Sequence, residues 1–247
     1  MSLDICVPVY NEGENIIPLL DALKERVRLE FRLLIIYDME EDNTLPVLRP
    51  VMERYPFPIH LIRNQYGRGV ANAIRTGMDH VQEEYWLVTM ADLSDEPATI
   101  PLMYQKMQEG YDMVAGSRYM RGGKKHGGPF LKSLFSRCAG WGMHILVGIP
   151  IHDLSNAFKM YRTEVSRRIP LESDDGFELC TELALKTYLA GYRLTEVATE
   201  WYDRTAGESN FKMWKWLPKY LKWCLYAMQY KWLRKRPDYH CIYHEHI

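Results

Sequence analysis

The chain has 247 residues, 47% of them hydrophobic, and its 31 Lys and Arg against 32 Asp and Glu leave a formal charge of -1. A chain of that size and composition buries a substantial core, which excludes a disordered or disulfide-stapled protein. A charge near zero excludes global attraction to nucleic acid, so any basic partner surface must be local. The five cysteines are odd in number and widely spaced, with no CxxC pair, as expected of reduced thiols in a cytoplasmic protein rather than a zinc site.

The start, Met1-Ser2-Leu3-Asp4, lacks the basic region of a signal peptide and runs straight into an apolar strand, Leu3 to Val9. A polar turn, Tyr10 to Asn15, leads to a helix carrying Ile16, Leu19, Leu20 and Leu23 at helical spacing. Leu33 to Tyr37 is a second continuous apolar strand; it ends in Asp38 and the acidic loop from Glu40 to Thr44. Ile59 to Ile62 gives a third strand, and the basic loop from Arg63 to Gly69 turns into a helix with Ala71, Ile74, Met78 and Val81 inward. Next, the apolar run from Tyr85 ends abruptly at Asp92, Asp95 and Glu96. Acids where a buried strand ends suit a hard divalent cation and a phosphate, because ligands of open α/β sheets bind outside the carboxyl ends of the strands. Ser94 to Pro97 also reads as the start of a helix that runs through Leu102 and Met107 to Gly110.

Asp112 to Ala115 is a further strand, and Gly116 to Gly128 is a glycine-rich basic loop that is expected to be mobile. It is either a solvated linker or a flap over an anionic ligand. Helical pattern runs from Phe130 to Val147, and again from Phe177 to Leu189, where Glu178 and Glu182 share one face. Tyr192 to Val197 is expected to be the last strand. The alternation of β and α implies one mainly parallel, Rossmann-like sheet with helices on both faces. After residue 210 the texture changes. From Phe211 to Arg236 every charge is positive and is interleaved with Trp and Tyr, while Trp214, Leu217, Leu221, Leu225, Met228 and Trp232 fall on one helical face. That composition suits an anionic membrane surface; the rival readings are a core-packed helix with a basic outer face and, without a binding motif to support it, a nucleic-acid surface. The division expected is residues 1–210, an amphipathic segment 211–236 and a frayed tail 237–247, with the first part surviving removal of the rest.

Taken together, Pro8-Val9-Tyr10-Asn11-Glu12, Asp38 and Asp42 with Thr44, Gly67-Arg68-Gly69 with Ala73 and Gly77, Ala91-Asp92-Leu93-Ser94, Gly116-Ser117-Arg118-Tyr119, and Asp203-Arg204 with Gly207-Glu208-Ser209 resemble the family-2 glycosyltransferases of GT-A fold. Within that family they look most like dolichyl-phosphate mannose synthases and related polyprenyl-phosphate sugar synthases. The resemblance implies that Pro8, Tyr10, Glu12, Ile36 and Asp38 hold the base and ribose of a nucleotide-diphosphate sugar. By the same resemblance Ala91 and Asp92 meet its diphosphate, with Asp92 and Ser94 at a Mg²⁺ or Mn²⁺. Arg118 and Arg204 would bind phosphates, and Lys132 and Ser136 would grip the phosphate of a polyprenyl or dolichyl acceptor. Three positions depart from the family pattern: Met90 stands where the first metal-motif aspartate is usual, Tyr37 replaces an acid after the second strand, and Asn210 replaces a phosphate-binding lysine.

An inverting transfer to a phosphate at the cytosolic membrane face needs no general base, since the acceptor oxygen is already ionised. The alternatives are transfer to a sugar hydroxyl, with Glu178 or Glu182 as base, and a non-catalytic nucleotide-sugar-binding subunit in which Met90 marks loss of metal chemistry.

Overall fold

A computed structural model describes residues 3–173, 176–203, 213–233, 235 and 239. Its elements are β1 (Leu3–Val9), α1 (Ile16–Arg26), β2 (Phe31–Tyr37), α2 (Thr44–Leu48), β3 (Ile59–Arg63), α3 (Val70–His80), β4 (Tyr85–Val88), α4 (Ile100–Gln108), β5 (Met113–Ser117), β6 (Lys124–His126), α5 (Phe130–Val147), β7 (Lys159–Arg162), α6 (Thr163–Arg168), α7 (Glu178–Leu189), β8 (Leu194–Ala198), β9 (Glu200–Tyr202) and α8 (Met213–Trp232).

The strands β1, β2 and β4 are almost wholly apolar because both of their faces are covered. Ile5, Val7, Leu33, Ile35 and Leu87 pack with Leu19, Leu20 and Leu23 of α1 and Met103 of α4. Their neighbours Cys6, Leu34, Ile36, Trp86 and Val88 point to the other face, into a core shared with Ile74 of α3 and Leu179 and Leu183 of α7. The seven-stranded sheet runs β3-β2-β1-β4-β7-β5-β8. Every pairing in it is parallel except those of β7, which lies antiparallel between β4 and β5.

Three segments correct the expectations from sequence, the simplest being β9, which lies beyond the Tyr192–Val197 run expected to be the last strand. Lys159–Arg162, where no strand is expected, is the inserted strand β7; lying antiparallel, it starts at the edge where its neighbours end, so Val88 and Ala115 both face Lys159. The basic loop is likewise not a mobile linker. Its residues Lys124–His126 pair in parallel with β9 to form a second, two-stranded sheet. Lys124, His126 and Tyr202 all bond Glu200 there, at 2.7, 3.0 and 2.8 Å. Those bonds hold the Glu200 carboxyl down at about 2.

The C-terminal helix is seated rather than appended. Trp223 and Ala227 are buried in the same core as α7, and the Trp223 Nε1 donates to Ser173 Oγ at 2.9 Å. Lys186 of α7 lies 4.9 Å from the Trp223 ring and 5.8 Å from that of Tyr226, while its Nζ pairs with Glu182 at 2.7 Å and Glu172 at 2.9 Å. Leu221, Leu225 and Trp232, grouped by sequence on one face, are 53%, 49% and 60% exposed, so that face points outward. Both sides of α8 carry apolar residues, and periodicity cannot tell which side the domain covers. The Trp214 side chain and the tail from residue 240 lie outside the described residues.

Helix α5 crosses the same side. Gly140 is pressed so closely to the loop before β7 that a Cβ there would overlap the His152 carbonyl oxygen. Its other face exposes Phe130, Leu131, Leu134, Phe135, Trp141 and Ile145. Among the described residues no helix is long and apolar enough to cross a membrane.

Candidate active site

The chain leaves β1 toward β2 and β3 on one side and returns to β4 on the other, so a crevice opens at the carboxyl ends of β1 and β4, the topological switch point. The turn after β1 is shaped by the loop after β2. Asn11, at φ 56°, donates its N–H to Asp42 at 3.0 Å, and the N–H groups of Glu12 and Gly13 donate to Thr44 Oγ1 and Asn43 Oδ1, both at 2.9 Å. This leaves Tyr10 half exposed at the mouth, 52% accessible. Asp38 is committed in a similar way: its carboxylate accepts from Asn64 Nδ2 at 2.8 Å and from the Gly69 N–H at 3.0 Å, which fixes the loop entering α3.

Beyond β4 the chain turns through Leu93, which has a φ of 54° although it is not glycine. Backbone held in the left-handed region by a branched residue is strain of the kind that concentrates at functional sites. Asp92 Oδ1 accepts the Ser94 N–H at 3.0 Å, and the Asp92 side chain is half-buried at the crevice. Ser94 and Asp95 are buried, and the Ser94 carbonyl accepts the Tyr202 N–H at 2.9 Å, so β9 closes over this turn. Burial pushes the Asp95 carboxyl up to about 7; Arg118 opposes the shift and Asp92 adds to it.

The other wall stands over β5, β7 and β8. Arg118, just past β5, grips Asp153 with Nε at 2.6 Å and Nη2 at 2.8 Å, and its own N–H adds a third bond to Asp153 at 3.1 Å. Arg118 Nη2 also donates to Ser155 Oγ at 3.0 Å, and Ser155 bonds Ser136 of α5. Burial works against both charges of the pair. Their mutual attraction nevertheless raises the guanidinium's proton affinity and holds the Asp153 carboxyl below the usual carboxylate range. Asn156 Nδ2 reaches Asp95 at 3.3 Å and the Gly116 carbonyl at 3.2 Å. Lys159, fully buried, donates to the carbonyls of Leu154 (3.0 Å) and Asn156, which stakes out the 153–156 turn from beneath.

The model of the family described as "Glycosyl transferase family 2" matches residues 4–169. The chain belongs to that family. This family-2 member is 28% identical over 220 residues to a dolichol-phosphate mannosyltransferase of Pyrococcus furiosus, covering 86% of this chain and 60% of that protein. It is 26% identical over 212 residues to a polyprenol monophosphomannose synthase of Mycolicibacterium smegmatis, covering 83% and 79% of the two chains. The chain thus spans 60% of the length of the first of these relatives. Among solved structures, glucosyl-3-phosphoglycerate synthase of Mycobacterium tuberculosis, crystallised with Mn²⁺, UDP and glucosyl-3-phosphoglycerate, superposes with a TM-score of 0.66 at 13% identity, over 96% of this chain and 81% of that one. At that identity the likeness is one of fold, and it places this family-2 chain in the GT-A class.

The residues singled out by sequence reach the edge unequally. Tyr10, Glu12, Asp38 and Asp92 follow the carboxyl ends of β1, β2 and β4, whereas Pro8 and Ile36 are paired in register inside the sheet, with Ile36 packed against Gly77 of α3. Ala91 is buried directly before Asp92. Lys132 and Ser136 lie on α5, and Ser136 joins the Arg118 wall through Ser155. Arg204, with the stretch from 205 to 212, lies outside the described residues.

Glu182 accepts the N–H groups of Glu172 at 2.7 Å and Ser173 at 2.8 Å and pairs with Lys186; these commitments make it a structural acid and remove it as a base. Glu178, 2% exposed, faces Lys219 of α8 at 3.7 Å. Sequence reasoning missed Asp153, Asn156, Lys159 and Lys125. The run Asp153 to Tyr161 is visible as a polar-then-apolar stretch, but only the antiparallel insertion of β7 carries its first residues to the edge where β4 and β5 end.

The β4 edge offers few donors to a divalent metal. Among the described residues no three His, Cys, Asp or Glu side chains converge to hold one. Asp92 nonetheless fits the needs of Mg²⁺, which takes one or two protein carboxylates and completes its shell with water and substrate phosphate.

Proposed function

We propose that this chain transfers a sugar from a nucleotide-diphosphate sugar to a polyprenyl or dolichyl phosphate at an anionic membrane surface. The observation that carries the reading is the pairing, across one sheet edge, of the Asp92 turn with the Arg118–Asp153–Ser155–Ser136 wall, from which α5 extends an exposed apolar face. The names of the two curated relatives support the same acceptor class.

In this reading Tyr10, Glu12 and Asp38, over Pro8 and Ile36, receive the base and ribose, and Ala91 and Asp92 receive the diphosphate. Mg²⁺ or Mn²⁺ held by Asp92, with Ser94 beside it, would neutralise the leaving diphosphate. Arg204 orients and screens phosphate charge, Arg118, expected from sequence to do the same, instead braces the wall through Asp153, and Lys132 and Ser136 hold the acceptor. A phosphate acceptor is ionised at neutral pH, so positioning and charge neutralisation suffice. That agrees with Glu182 being spent on structure.

The test is release of nucleoside diphosphate from candidate sugar donors with an isoprenyl phosphate present, with and without Mn²⁺. Asp92→Asn is expected to lower turnover by more than ~100-fold, the scale for losing one preorganised charge-stabilising group, with an unchanged melting temperature. Near-normal turnover in that variant would remove Asp92 from the chemistry, and binding without turnover for every donor and lipid would favour a non-catalytic subunit. The exposed Leu221, Leu225 and Trp232 beside Lys222 and Lys231 carry the membrane part of the reading. The intact protein is expected to sediment with anionic vesicles and detach in high salt, at roughly 1 kcal/mol per basic residue near the surface. Indifference to anionic lipid would sink it.

A further inference from the structure

Sequence reasoning assigns the phosphate-binding charge of this wall to Arg118, yet the structure spends that guanidinium on Asp153. Two side-chain bonds and one main-chain bond join the pair, Ser155 takes a further N–H, and the Arg118 side chain is only 10% exposed. The pair is close to neutral as a unit. A dianionic phosphate arriving here needs a cation whose charge is not already matched.

Lys125, in the middle of β6, meets that description. Among the described residues no carboxylate lies within ion-pair distance of its Nζ. The Nζ donates to Ser133 Oγ on α5 and stands 4.9 Å from the Trp201 ring centre. Gly128, at φ 77°, leaves room for it, since a Cβ there would come within 2.9 Å of the ammonium. Burial lowers the proton affinity of Lys125 and the Arg118 charge lowers it further, with Asp203 and Asp153 acting in the opposite sense. A cation kept beside another cation, partly desolvated and held by a hydroxyl and an aromatic face, is one that an incoming anion stabilises.

The surroundings say which anion. Lys125 belongs to the sheet formed with β9, which joins the Asp92 turn on one side, through Trp201 beside Asp95 and the Tyr202 N–H on the Ser94 carbonyl, to α5 on the other, through Ser133. Ser133 and Ser136 stand one turn apart on α5, so the hydroxyl that bonds Lys125 and the hydroxyl tied to Arg118 through Ser155 share one helix face. The exposed apolar side chains Phe130, Leu131, Leu134 and Phe135 occupy the same helical turns.

We propose that Lys125 contacts the acceptor phosphate alongside Lys132 and Ser136, with Ser133 and Trp201 fixing its ammonium, and that it selects a phosphate-bearing lipid over the corresponding alcohol. The inference rests on the acceptor reading above and names a residue for it. The step involves binding alone and no bond is made or broken.

Calorimetric titration of the intact protein with farnesyl phosphate, farnesol and UDP or GDP tests it. Wild type is expected to bind farnesyl phosphate and not farnesol. Lys125→Gln is expected to weaken farnesyl phosphate binding by roughly tenfold or more, the scale of one charge-assisted hydrogen bond, and to leave nucleoside diphosphate affinity unchanged. Lys125→Arg, which keeps the charge, is expected to restore most of the loss, and Ser133→Ala to weaken the same ligand alone. If Lys125→Gln binds farnesyl phosphate as tightly as wild type, the assignment of Lys125 falls while the acceptor reading stands. The assignment also falls if farnesyl phosphate and nucleoside diphosphate binding drop together with stability, because Lys125 then only braces the β6–β9 sheet. A wild-type protein that does not distinguish farnesyl phosphate from farnesol overturns both.

Discussion

A chain ended at residue 210 is expected to be recovered unfolded or aggregated, with no cooperative melting transition. The expectation follows from what α8 covers. Trp223 is 1% exposed and Ala227 is fully buried in the core formed with Leu179, Cys180 and Leu183 of α7, and removing them opens that core to water. Deleting a large buried aromatic alone costs about 3–5 kcal/mol, a large part of the 5–15 kcal/mol by which domains are stable. The loss extends beyond apolar area. Lys186 would lose the aromatic faces of Trp223 and Tyr226 above its buried pair with Glu182, and Ser173 would lose its indole donor. Trp223→Ala in the full chain is therefore expected to lower the melting temperature sharply, whereas Leu225→Ser on the outward face should change it little and weaken vesicle binding instead. Circular dichroism melts of the three proteins check this. A truncated chain that melts cooperatively near the wild-type temperature would mean that the α7 face needs no cover.

Arg118→Met is expected to destabilise the protein by about 3–5 kcal/mol at neutral pH, the usual result of removing one partner of a buried ion pair. Asp153 is fully buried, and without the guanidinium its charge keeps Lys159 as its nearby cation, with the Ser155 hydroxyl and main-chain donors. The double variant Arg118→Met/Asp153→Leu should recover much of the loss, because replacing both partners leaves no uncompensated charge.

The pH dependence separates a charge effect from simple packing. In the wild type the folded Asp153 carboxyl titrates below its ordinary value, so its contribution is complete above about pH 4 and is lost as pH falls through the folded value. In Arg118→Met burial prevails and the folded value lies above the unfolded one. The penalty is then present at neutral pH and fades as pH falls through that raised value. Urea unfolding of wild type and variant between pH 7 and 5 should show the gap narrowing toward acid. A gap independent of pH would mean that Arg118 acts as a packed side chain and not as a counter-ion.

Some of this molecule is legible in its sequence for a local reason. β1, β2, β4 and β5 announce themselves because a strand covered on both faces must be a continuous apolar run. The acids at Asp38 and Asp92 stand out because they end such runs abruptly. The switch-point crevice and its acidic side follow from those two facts and the right-handed, parallel rule for βαβ units. The short family stations add the proposed nucleotide side of the site, including Tyr10 and Glu12.

What only the tertiary structure decided are the pairings between segments distant in the chain. Lys159–Arg162 carries no more strand signal than a helix start would, and its place between β4 and β5 depends on pairing with residues 71 and 44 positions away at its first residue, Val88 and Ala115. The glycine-rich loop reads as mobile until Glu200 supplies a partner for Lys124 and His126. Arg118 reads as a phosphate ligand until Asp153 is found in its fork, and Lys125 reads as one cation among several until its neighbours are counted. The side of α8 that is buried was likewise undecided, since Leu221, Leu225 and Trp232 are as apolar as Trp223 and Ala227. Hydrophobic period reports that a face is to be covered, whereas the covering surface, and the charge that each buried cation meets, belong to residues far away in the chain.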